Sequence, residues 1–177
     1  MKKLFAVTAL LATSVAGVAA TGGLANADEN AKLYPAFGCL ETGTGGGTTI
    51  NRNEVRITKS SGGVNETAFV LCPIVRDERS SGFFGSVSAV VHVSNTILNK
   101  NLSCTLTARH HANGPITFQT KTTSGVNSAG EDLVLGSLLV NSHDGGQDAF
   151  YYIQCEVPTN QGGGQVVKIF SYEVTEH

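Results

Sequence analysis

The chain has 177 residues, 41% of them hydrophobic and 15% charged, with a formal net charge of −2. The Lys and Arg residues are scattered through the sequence with no basic patch of the kind a nucleic-acid partner requires. Gly is abundant at 21 residues and Trp is absent, which favours many turns over long helices.

The first segment reads MKKLFAVTALLATSVAGVAATGGLANADE. Lys2 and Lys3 precede an apolar run from Leu4 to about Ala20, and Ala25-Asn26-Ala27 forms a small-x-small exit before Asp28. This is the pattern of a secretory signal peptide over residues 1–27. No cysteine lies at the exit, so the lipoprotein signal is missing. The expected mature chain is one domain, 28–177, secreted or periplasmic, with a size that buries about 70% of its unfolded surface. No second apolar run is long enough to span a bilayer, so an integral membrane protein is not expected. Lys2 and Lys3 leave with the segment and no acidic residue does, so the mature chain is more acidic than the full sequence.

From residue 54 onward, short runs of β-forming residues alternate with turn signals. Strands are expected at 54–58, 67–75, 86–94, 102–109, 116–123, 133–140, 149–157 and 166–175, with another near 33–40 and a helical turn at 28–33. SSGG, RDERSSG, HANGP, SHDGGQD and PTNQGGG mark the connections. GTGGG at 43–47 is a flexible loop, because the Lys-Ser or Lys-Thr of a phosphate cradle does not follow it. Strands of this number and spacing predict an all-β fold, a two-sheet antiparallel β-sandwich of jelly-roll or immunoglobulin-like topology.

All four cysteines, Cys39, Cys72, Cys104 and Cys155, lie beyond the leader. An even count in an exported chain predicts two disulfides. Four cysteines allow three pairings and sequence alone does not choose among them. The preferred pairing is Cys39–Cys72 with Cys104–Cys155, each bridge worth roughly 3–4 kcal/mol by loop closure. No CxxC and no Cys-His cluster at ligand spacing occurs, so neither a metal nor a cofactor is expected.

Alternation assigns faces. Leu102, Cys104, Leu106 and Ala108 share one side of their strand; Val87, Ala89, Val91 and Val93 form the apolar set of theirs. A hairpin between the two would set Val91 opposite Cys104 and His92 opposite Ser103. Tyr151, Ile153, Cys155 and Val157 share a face, and a hairpin to 133–140 would set them opposite Leu138, Gly136 and Val134. Cys104 and Cys155 then face inward, and an inter-sheet bridge through the core is expected.

Catalytic patterns are weak. His110 and His111 are adjacent, so on a strand they point apart, and His92 and His110 lie too far apart in that hairpin for one metal site. Asp144 and Asp148 in SHDGGQD lack EF-hand spacing, and Asp-Gly reads as a turn. No GxSxG or HExxH occurs, and SxxK lacks a supporting context. Asp77, Glu78, Glu131, Asp132, Glu156 and Glu173 have no spacing that marks a glycosidase pair.

The remaining candidates are aromatic. Pairing of 149–157 with 166–175 across PTNQGGG would set Tyr152 beside Phe170, Phe150 beside Tyr172 and Gln154 beside Lys168. Tyr152, Phe170 and Tyr172 would then form one ring face, either an open platform for a carbohydrate or apolar ligand or a second layer of core covered by Tyr34 and Phe37.

The elements LYPAFGC, VLCPIVRD, a central C-x-L, YYIQCEVP and IFSYEVTE resemble a group of uncharacterised secreted bacterial proteins that share YY-x-x-C-x-x-P and a terminal SY-x-V-x-E strand. The resemblance implies export, two disulfides and a β-rich fold, and carries over no activity. The expected function is that of a non-catalytic binding or envelope-associated module. A small secreted inhibitor or toxin-like partner of another protein, with a rigid loop at 43–47 or 160–164, and a hydrolase with an unrecognised site are the alternatives.

Overall fold

A computed structural model describes residues 30–42, 55–57, 67–76, 86–110, 116–138, 149–158 and 165–177. Residues 1–27, read above as a leader, the glycine-rich stretches 43–47 and 160–164, and the SHDGGQD segment lie outside the described residues. The described residues form ten strands: β1 (Asn30–Pro35), β2 (Leu40–Glu41), β3 (Val55–Ile57), β4 (Thr67–Ile74), β5 (Val87–Asn95), β6 (Ser103–His110), β7 (Ile116–Thr122), β8 (Asn127–Leu138), β9 (Ala149–Pro158) and β10 (Val167–Glu176). Residues 30–35 are therefore strand, where a helical turn was expected at 28–33; β1 lies along β10 from Asn30↔Glu176 to Pro35↔Ser171, and that ladder fixes its backbone as extended.

The strands form two antiparallel sheets. The first has the order β1-β10-β5-β8, with β3 also on β10, and the second has the order β2-β4-β9-β6-β7. Every connection crosses from one sheet to the other except β6 to β7, the single hairpin among the described strands. Such alternation is that of a jelly roll, because an immunoglobulin-like sandwich keeps its first two strands in one sheet.

Three expected hairpins are thereby corrected. β5 and β6 lie in different sheets and face each other across the core; β5 pairs with β10 and β8 instead. β8 and β9 are likewise separated, as are β9 and β10. The inward faces were nevertheless assigned correctly for β5, β6 and β9: Val87, Ala89, Val91, Val93, Leu102, Cys104, Leu106, Ala108, Tyr151, Ile153, Cys155 and Val157 are all buried. On β8 the inward residues are Leu133, Leu135 and Leu138, not Val134 and Gly136. A register shift between Val87 and Ala89 breaks the strict alternation there.

Both disulfides have the preferred connectivity, Cys39–Cys72 and Cys104–Cys155. Their placement differs from the expectation. β6 and β9 are neighbours in the second sheet, and Cys104 stands directly opposite Cys155 in their ladder. The bridge is thus cross-strand within a sheet, and both sulfurs still point into the core. Cys39, one residue before β2, meets Cys72 in the adjacent β4 in the same way.

Polar contacts lock the two layers together. Tyr34 and Tyr172 are cross-strand partners whose rings stack at 5.0 Å. Both hydroxyls reach over to the other sheet, Tyr34 donating to the Val75 carbonyl at 2.9 Å and Tyr172 to the Pro73 carbonyl at 2.7 Å. Burial, with the nearby Tyr34 hydroxyl adding to it, pushes the Tyr172 phenol up to about 12. Glu176, buried on the inward side of β10, takes Lys32 Nζ at 3.2 Å and Arg76 Nε at 3.7 Å. Arg76 also lies over the Tyr151 ring. Elsewhere Asn95, fully buried at the end of β5, donates to the Lys100 carbonyl at 2.7 Å and accepts from the Ile97 N–H at 2.9 Å. Thr123 supports the same turn by accepting from Leu102 N–H at 3.1 Å.

Candidate functional site

The expected ring face of Tyr152, Phe170 and Tyr172 does not form. Tyr152 is on β9 in the second sheet, whereas Phe170 and Tyr172 are on β10 in the first. Within β10 a bulge intervenes: Ile169 pairs with Val93 and Ser171 with His92, so Phe170 is an extra residue. It shifts the phase of alternation by one. Phe170 is 42% exposed, and Tyr172, two residues on, is 1% exposed in the core. Tyr34 provides the cover expected of it, while Phe37 is 60% exposed. Gln154 lies beside Thr105 and Leu71, not Lys168.

Tyr152 has other ring neighbours. Along β9, Phe150 and Tyr152 project from the same outer side and stack with centroids 6.1 Å apart. Across the sheet, the ladders define a row Pro73–Tyr152–Thr107–Phe118, running over β4, β9, β6 and β7. One rung along, Phe150–Arg109–Ile116 forms the next row. On the other flank lies Leu71–Gln154–Thr105–Thr120, in which the two threonine hydroxyls are 2.9 Å apart. Three aromatic side chains thus stand on one outward face, surrounded by an amide, hydroxyls and a guanidinium. Thr107 is buried although it faces outward, because it sits between the rings of Tyr152 and Phe118.

Phe118 is the most informative member. It is 65% exposed, and Phe150 is 47% exposed. Strand β7 reads ITFQTKT, and its pairing to β6 sets Thr117, Gln119 and Lys121 opposite Ala108, Leu106 and Cys104. Polar residues therefore occupy the core-facing positions of β7 and an aromatic ring occupies a solvent-facing one. Core formation alone would choose the opposite pattern. The signal was available in the sequence as a lone Phe between Thr117 and Gln119, but the strand had to be placed at a sheet edge before its faces had meaning.

The reversal has a second consequence. Gln119 reaches from β7 to β8, the edge of the first sheet, where its Oε1 accepts from Gly136 N–H at 2.8 Å. A side chain at position 136 would meet that amide at 2.8 Å, so glycine is required for this contact. Between these edges lies an open groove of about 430 Å³ lined by Gln119, Lys121, Thr122, Glu131, Asp132 and Val134. Glu131 is engaged by the Ser124 N–H at 3.2 Å, and Asp132 accepts from His92 Nδ1 at 2.7 Å.

His92 was expected opposite Ser103 and is instead opposite Asp132, with Ser171 on its other side. The row Asp132–His92–Ser171 has the residue types of a hydrolytic triad, but the only bond in it is that from His92 to Asp132. It lies on an open sheet face, with His92 partly exposed and Asp132 exposed. Among the described residues no group of three or more His, Cys, Asp or Glu side chains is placed to hold a metal ion, and no helix is long and apolar enough to cross a membrane.

No family model matches the chain, and no curated protein sequence matches it significantly. Solved structures do show similarity over most of its length. A GH26-CBM35 β-(1,4)-mannanase of Podospora anserina shares 16% identity at a TM-score of 0.40, covering 83% of this chain and 28% of that one. A structure of infectious bursal disease virus, Gt strain, shares 12% identity at a TM-score of 0.42, covering 84% of this chain and 33% of that one. The T13 particle of the same virus shares 12% identity at a TM-score of 0.31, covering 84% and 31%. The chain thus spans about a third or less of the structures it matches, and at these TM-scores the similarities assign no function to it.

Proposed function

We propose that this chain is a non-catalytic binding module that takes a carbohydrate on the outer face of its second sheet, through Tyr152, Phe150 and Phe118. The observation that carries the reading is the reversed pattern of β7, which leaves Phe118 in solvent beside a stacked ring pair. Rings with exposed faces stack on the apolar faces of pyranoses, and the surrounding Gln154, Thr105 and Thr120 supply amide and hydroxyl partners for the sugar hydroxyls. The rings stand on the open outer side of a sheet, which suits a polymer lying on it better than a small molecule enclosed by it. Export through residues 1–27 belongs to the same proposal, and the two disulfides fit an oxidising compartment.

The test is retention on insoluble neutral and acidic polysaccharides, comparing the wild-type domain with Tyr152→Ala and Phe118→Ala. Each truncation is expected to weaken retention on the order of tenfold and to leave the melting temperature within a few degrees, because both rings are at least partly exposed. Wild-type protein that is retained on no polysaccharide, or variants retained as well as wild type, would overturn the proposal.

A further inference from the structure

We infer that the ligand of this aromatic face is an acidic polysaccharide, one built with uronate residues, and that Arg109 reads its carboxylate. The inference rests on the binding face proposed above and adds the chemical class of its ligand. Arg109 and Thr107 alternate with the buried Ala108, so the guanidinium stem leaves β6 on the outer side. The ladders set Arg109 directly between Phe150 and Ile116, one rung from Tyr152 and Phe118. Among the described residues it makes no ion pair and no hydrogen bond. The carboxylate on the outer side of the neighbouring strand is Glu156, six residues from Phe150 and therefore about 20 Å along the ladder.

A guanidinium with no partner among the described residues, set beside the rings, constrains what can cover them. A neutral sugar laid on Phe150 and Tyr152 would take water from Arg109 and return no charge, and a desolvated cation without a counter-ion is costly. A uronate reverses the sign of that effect. Its planar carboxylate matches the fork of the guanidinium with two parallel N–H···O bonds, while the rest of the ring stacks on the aromatic face. The arrangement therefore selects for a ligand that carries an anion next to an apolar sugar face.

The experiment uses polygalacturonate in its free-acid form and the same polymer with its carboxylates methyl-esterified, which removes the charge and keeps the backbone. A sulfated neutral polysaccharide serves as the third probe. Affinity electrophoresis would be run with wild type, Arg109→Met, Arg109→Lys and Tyr152→Ala, with melting curves for each. Wild type is expected to bind the free acid at least about tenfold more tightly than the ester. Arg109→Met should abolish the preference while keeping the weaker binding to the ester, Arg109→Lys should restore part of it, and Tyr152→Ala should lose both polymers. Equal binding of acid and ester by wild type, or a preference that survives Arg109→Met, would overturn the role of Arg109 and leave the binding face standing. Selective binding of the sulfated polymer would overturn the assignment to uronate. Binding of both polygalacturonates unaffected by Tyr152→Ala would overturn the aromatic face itself, and the inference with it.

Discussion

Replacing Tyr172 with Phe separates two contributions of one hydroxyl. The group donates to the Pro73 carbonyl at 2.7 Å and joins β10 of the first sheet to β4 of the second. At neutral pH its loss should cost about 1–2 kcal/mol, the net value of a hydrogen bond plus part of the penalty for the abandoned acceptor. The pH dependence is the sharper readout. Tyrosine titrates near 10 when unfolded, and the folded Tyr172 phenol is held at about 12. Between these values the unfolded chain releases a proton that the folded chain keeps. The stabilising contribution is therefore complete below about pH 10 and is lost as pH rises toward 12, by about 1.4 kcal/mol per pH unit and roughly 3 kcal/mol in all. The phenylalanine variant lacks this decline. Urea unfolding from neutral pH to about pH 12 should show the variant less stable at the start and level with or above wild type at the alkaline end. All four cysteines are bridged, so no thiol titration overlaps the range. Identical alkaline profiles for the two proteins would refute the reasoning.

Two further outcomes follow from the buried contacts. Removing the Cys104–Cys155 bridge as a paired Ala substitution opens a loop with a sequence separation of 51 and should cost roughly 4 kcal/mol, read as a lowered urea midpoint; an unchanged midpoint contradicts this. Asn95→Ala strands the Ile97 N–H and the Lys100 carbonyl in a buried turn and should cost about 2–4 kcal/mol, whereas Asn95→Asp keeps the acceptor for Ile97 and should recover part of it.

The limits of sequence reading here have a specific cause. Alternation in 86–94, 102–109 and 149–157 correctly identified which side of each strand is buried, because that depends only on period-two placement of apolar residues. It did not identify the partner strand. In a sandwich the inner faces of both sheets share one core, so a hairpin neighbour and a strand across the core satisfy the same pattern. β5 and β6 illustrate this: Val91 and Cys104 both face inward, yet from opposite layers. The disulfides show the same ambiguity, since an inward pair is compatible with a bridge across the core or along a sheet. Tyr172 was misplaced for another reason, the single-residue bulge at Phe170, which no local composition announces. Residues 127–132 were missed as strand because NSAGED is polar and contains Gly130 at φ 107, at the outer edge of the first sheet where little burial is required. The His92–Asp132 contact depends on that missed pairing, and Phe118 depended on knowing that β7 is an edge.

The most direct measurement is ring-resolved NMR of the folded domain titrated with the polysaccharide oligomer that it retains. Ring signals of Phe118, Phe150 and Tyr152 should shift together and saturate with one affinity, while those of Tyr34 and Tyr172, stacked between the layers, should stay in place. Shifts confined to His92 and the groove near Lys121 and Glu131, with the three outer rings unmoved, would contradict a carbohydrate-binding face on the second sheet.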